Sequence, residues 1–146
     1  MTKQLALALS FTASAALIAT AALAQPALEG GKKFTTTLTG AAEVPPADPD
    51  GTGTATIVIN AGQQRVCWEI TTANLDPVVA AHIHSAHAGQ NGPIVVPLTA
   101  TTNGTSTGCA DVTRSLADAI RKAPQGYYVN VHTTVFPGGA IRGQLS

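Results

Sequence analysis

Three histidines carry the chemistry this sequence offers. His82 and His84 lie in the run Val-Val-Ala-Ala-His-Ile-His that ends at His84, and His132 lies in Tyr-Tyr-Val-Asn-Val-His-Thr. Both runs read as β-strands, in which residues two apart point to one face. His82 and His84 then share a face opposite Ile83. His132 shares one with Tyr128 and Asn130, opposite Val129 and Val131. If the apolar residues mark the core, all three imidazoles point away from it. Imidazole suits copper, zinc and nickel. Neighbouring same-face residues stand roughly 7 Å apart along a strand, so a bent or bulged strand would let two rings converge, and His132 would complete a trigonal set. His87, on the Gly-rich loop that follows, is a further candidate ligand. The competing reading is architectural: the rings hydrogen-bond to backbone and hold loops in place.

The strands that position these rings are separated by turn signals. Alternation predicts strands over 34–39, 53–60, 65–71, 78–84, 94–98, 105–112, 127–133 and 140–145. Residues 60–63 form a turn that makes the second and third strands a hairpin. Pro97 assigns its strand to an edge. One helix is expected after residue 112, with Ser115 as cap, Asp118 three residues on, a stripe of Leu116, Ala119 and Ile120, and an end at Pro124 and Gly126. Eight short strands with one short helix predict an all-β fold, an antiparallel Greek-key sandwich or flattened barrel. Trp68 faces inward and reads as core.

The N-terminus reads as a leader. Lys3 precedes a run of apolar and small residues, and Ala22-Leu23-Ala24 fits a signal-peptidase site. Residues 1–24 are expected to be cleaved, leaving a single domain over 25–146 in the periplasm or outside the cell. Past the leader there is no apolar run long enough to cross a bilayer, so no membrane association is expected after cleavage. Eight Lys and Arg balance eight Asp and Glu, and charged residues are only 11% of the chain. A neutral chain gives no field to attract a polyanion, which argues against nucleic acid as a partner. The two cysteines, Cys67 and Cys109, are expected to form a disulfide in an oxidising compartment; thiolate metal ligation is the weaker alternative. No Ser/His/Asp order, phosphate loop or carboxylate pair stands out, which favours a non-catalytic protein.

Four blocks resemble the CHRD domain, the module named after chordin. They are Leu38-Thr-Gly-Ala-Ala-Glu-Val-Pro-Pro46; Gly51-Thr-Gly-Thr-Ala55; Ala81-His-Ile-His84 with Asn91-Gly-Pro-Ile-Val-Val-Pro97; and Tyr128-Val-Asn-Val-His-Thr133 with Phe136-Pro-Gly-Gly139 and Ile141-Arg-Gly-Gln-Leu145. The resemblance covers nearly all of 25–146 and implies an immunoglobulin-like or related β-sandwich acting as a structural or interaction module. It departs at Ala140, where the family usually has Glu. Arg142, in the closing block, is a ligand clamp or pairs with a carboxylate such as Glu43 or Glu69, and Glu43 pins the turn before Pro45 and Pro46. The His-x-His strand, the Gly-rich loop and the late Val-x-Val-His strand also look like the copper half of Cu/Zn superoxide dismutase, although a zinc half is not evident. That likeness is one of pattern and confers no activity. The leading expectation is an exported, non-catalytic module holding one copper ion, with zinc less favoured, through His82, His84 and His132. A metal-free structural or protein-interaction module is the alternative, with no partner protein indicated, and a copper redox enzyme of dismutase type is third.

Overall fold

The computed structural model describes residues 30–101 and 104–146; the expected leader lies outside the described residues. Eight strands form: β1 (Lys32–Thr39), β2 (Thr52–Asn60), β3 (Arg65–Ala73), β4 (Val78–Ser85), β5 (Ile94–Leu98), β6 (Thr105–Asp111), β7 (Tyr127–Thr133) and β8 (Ile141–Gln144). They make one antiparallel sheet in the order β5-β4-β7-β8-β1-β2-β3-β6. The sheet rolls up until its two edges approach. Across that seam the Ser106 hydroxyl of β6 donates to the Thr99 carbonyl just past β5 at 2.7 Å; the same hydroxyl accepts from the indole N–H of Trp68 on the neighbouring β3 at 3.0 Å. The flattened barrel is thus the alternative realised. Its β3–β4 and β6–β7 connections step over intervening strands, as Greek-key connections do.

Alternation along the strands explains the core. Phe34 and Leu38 of β1, Ile57 and Ile59 of β2, and Val66, Trp68 and Ile70 of β3 point inward. Ile83, Val129, Val131, Ile141 and Leu145 meet them from the other half of the barrel. The outward residues of the same strands are mostly polar, but those of β4, β7 and β8, among them His84, Tyr128, Asn130 and Arg142, are buried as well, under the loops that cross that face. Pro97 sits on an edge strand, where a missing N–H is tolerated.

The helix α1 (Arg114–Lys122) buries Ala117 and Ile120 against this core; Leu116 is half-buried, and Ala119, expected in the stripe, is exposed. Its cap is Thr113, not Ser115. Thr113 is the last extended residue, and its hydroxyl accepts the Leu116 N–H at 3.2 Å. Ser115 is already inside the first turn, and Asp118 pairs with Arg121 at 3.1 Å instead of serving the N-terminus. A 3-10 turn, Pro124–Gly126, leads from the helix into β7.

Cys67 and Cys109 face each other directly in the β3–β6 register and form a disulfide. This removes the thiolate-ligand alternative. The bond staples β6, an edge of the sheet, to its neighbour on the outer face, on the opposite half of the strand order from β4 and β7.

Candidate metal centre

β4 and β7 are neighbours, and their register sets the site. Ala80 stands opposite His132, His82 opposite Asn130, and His84 opposite Tyr128. The three imidazoles therefore occupy one patch of the outer sheet face, with His132 diagonal to His82. The irregularity expected of a converging His-x-His strand is present. Register shifts occur between Val78 and Ala80 against β7, and between Ile83 and His84 against β5.

Each of the three rings offers a nitrogen within 4.8 Å of the others. The His82 and His132 ring centroids are 4.9 Å apart, and those of His82 and His84 are 5.6 Å apart. Nitrogens that share a tetrahedral ion at about 2.0–2.1 Å stand roughly 3.4 Å from one another. Small ring rotations would close the remaining gap.

Backbone carbonyls fix two of the tautomers. His84 Nδ1 lies 2.8 Å from the Gly92 carbonyl, and His132 Nδ1 lies 3.0 Å from the Pro137 carbonyl. A carbonyl only accepts, so each Nδ1 carries its proton, and each neutral ring keeps a lone pair on Nε2. This is the arrangement by which ligating histidines are held elsewhere. His84 Nε2 is buried with no hydrogen-bond partner among the described residues. His132 Nε2 faces His82 Nδ1 at 3.1 Å. Burial, aided by His132 and then His84, lowers the His82 pKa from its ordinary 6.5. Burial thus favours the neutral ring, the form that binds metals.

The carbonyl holding His84 is itself held. Gly92 approaches β4 so closely that a side chain there would overlap the Ser85 carbonyl, and Ser85 N–H donates to the Pro93 carbonyl at 3.0 Å. Arg142 reaches the same loop from β8. Its guanidinium donates to the Gln90 carbonyl at 3.0 Å and to Asn91 Oδ1 at 2.7 Å. It also pairs with Glu43, Nε to Oε2 at 2.7 Å, and both side chains are about 95% or more buried. Of the two carboxylates weighed for Arg142, Glu43 is the partner; Glu69 is exposed on β3. Tyr128 lies between the clamp and the site. It stacks on His84 at 4.8 Å from the β4 side and receives Arg142 over its ring at 4.1 Å from the β8 side.

His87 stands apart from the three. It is exposed, with Nδ1 at 3.1 Å from the Gln125 carbonyl. Ala140, at the position of the family's usual Glu, is fully buried and donates its N–H to the Val131 carbonyl at 2.8 Å.

A family model described as the CHRD domain matches residues 34–145. The chain belongs to the CHRD domain family. The match contains all eight strands but for the first two residues of β1, and all three clustered histidines. No significant match was found among curated proteins or among solved structures. The family assignment accordingly supports the fold and leaves the chemistry of this CHRD domain to its own residues. Sequence reasoning placed Asn130 and Tyr128 on the histidine face but gave them no role. The period-2 pattern that links them to His132 was the available signal.

Proposed function

We propose that this CHRD domain is an exported, non-catalytic module that binds one metal ion through His82, His84 and His132. The supporting observation is the convergence of three imidazoles, two of them oriented by backbone carbonyls so that Nε2 is unprotonated; an ion would take the place of the hydrogen bond that His132 Nε2 now accepts from His82. Copper is the preferred ion. The donor set is all imidazole, and nitrogen sites rank Cu²⁺ above Zn²⁺. The pattern likeness to the copper half of a superoxide dismutase points the same way. Its use would be holding or delivering the ion in the periplasm or outside the cell. The leader-like residues 1–24 and the disulfide support that location.

The competing assignment is a metal-free structural or interaction module in which the histidines are architectural. His82 separates the two. Its Nδ1 is hydrogen-bonded to His132 Nε2 at 3.1 Å, and it has no bond to backbone among the described residues. Under the metal reading, His82→Ala abolishes metal binding and leaves the thermal stability of the metal-free protein nearly unchanged. Under the architectural reading it lowers stability by roughly 1–3 kcal/mol through loss of the His82–His132 hydrogen bond and the partner it leaves unpaired, with no metal binding in either protein. Calorimetric metal titration and a melt in chelator, run on both proteins, decide between them.

A further inference from the structure

Asn130 is 1% exposed, and its Oδ1 is buried with no hydrogen-bond partner among the described residues. A buried amide oxygen without a donor is costly. The residue stands in the middle of the outer patch. His82 is directly across from it on β4, Arg142 is directly across on β8, and Tyr128 and His132 flank it on β7. Cross-strand partners have Cβ atoms about 4.5–5.5 Å apart, so its amide lies beside the histidine cluster. Arg142, its cross-strand partner, is a cationic donor, but it gives its hydrogens to Glu43, Gln90 and Asn91. Three buried acceptors thus lack a donor among the described residues: Glu43 Oε1 in the clamp, and Asn130 Oδ1 and His84 Nε2 on the histidine face. What the latter pair lacks is a cation and a hydrogen donor, and a metal ion carrying a water supplies both.

We infer that Asn130 is the fourth member of the metal centre, its Oδ1 accepting a hydrogen bond from a water in the coordination position that three histidines leave open. This inference rests on the metal reading proposed above. It makes the centre an open one, three imidazoles and an exchangeable water, rather than a closed structural site. Asn130 does not touch the ion in this arrangement. It positions the water and sets how tightly the hydrated ion is held.

The test uses the purified protein, its Asn130→Leu and Asn130→Asp variants, and Cu(II) or Zn(II) alone as titrant. Asn130→Leu removes the acceptor at similar volume. Asn130→Asp keeps the acceptor and removes the amide donor. The expected result is metal affinity weakened roughly 10- to 100-fold in Asn130→Leu and retained or strengthened in Asn130→Asp. In chelator, Asn130→Leu melts at or above the wild-type temperature, because an unsatisfied buried oxygen has been replaced by an apolar group. If leucine prevents folding, Asn130→Ala is read for affinity in the same way. A leucine or alanine variant that binds metal as tightly as wild type overturns the inference and leaves the three-histidine reading standing. Loss of binding in Asn130→Asp overturns it too, by assigning the amide N–H the essential role. A wild-type protein that binds neither ion removes the metal reading, and this inference with it.

Discussion

At the scale of single residues, the site depends on which nitrogen each ring presents. His84 and His132 owe their orientation to the carbonyls of Gly92 and Pro137. Gly92→Ala would push a methyl group into the Ser85 carbonyl and displace the carbonyl that holds His84. Metal affinity should fall by about 10- to 100-fold, the usual cost of losing such an orienting partner. His87→Ala should leave affinity unchanged, since its ring is turned to Gln125. Calorimetry on the two variants checks both. The histidine face was legible because a strand's period of two leaves no freedom once Ile83, Val129 and Val131 are assigned to the core. The orienting carbonyls were not legible. They sit on loops whose path over the sheet is set by contacts such as Arg142 to Gln90, 52 positions apart in sequence.

At the scale of elements, β4, β7 and β8 form the platform, and the clamp of Arg142 and Glu43 ties two loops down onto it. Glu43 follows a 3-10 turn, Gly40–Ala42, and Arg142 sits on β8, so the pair joins segments 99 positions apart. Both charges are buried. Removing one partner leaves the other unpaired, and Arg142→Met should cost about 3–5 kcal/mol. Changing Glu43 to Gln in that background removes the orphaned carboxylate and should recover much of the loss. Urea denaturation of the single and double variants, without metal, measures the difference. Strand positions were legible to within a residue or two, because alternation and turn residues agree along the chain. The helix cap was less so. Thr113 and Ser115 are both good capping residues, and only the place where β6 stops being extended decides between them. The choice between sandwich and barrel was also hidden. It turns on whether β5 and β6 meet, which the Ser106–Thr99 bond records and no local pattern does.

At the scale of the whole molecule, a nearly closed barrel lets the site and its staple work independently. The disulfide joins β3 to β6, while the histidines lie on β4 and β7. It closes a loop with a sequence separation of 42 residues. The chain-entropy model values such a loop at about 4 kcal/mol. Replacing both cysteines by serine should lower stability by up to about that amount and leave metal affinity unaltered. A matched fall in affinity would mean that the barrel transmits strain from seam to site. The cysteine pairing was readable from an even count and an expected oxidising compartment. Its consequence, an edge strand tied in place on the outer face, needed the β3–β6 register.

Whether three imidazoles on one sheet face hold a metal ion decides the role proposed for this domain. The most direct test is a calorimetric titration of the chelator-treated protein with Cu(I), Cu(II) and Zn(II), beside the variant in which His82, His84 and His132 are all alanine. The expected result is one ion per chain, bound tightly by the wild type, copper ahead of zinc, with no such binding in the variant. Wild-type binding no stronger than that of the triple variant would contradict the metal reading and return the histidines to an architectural role.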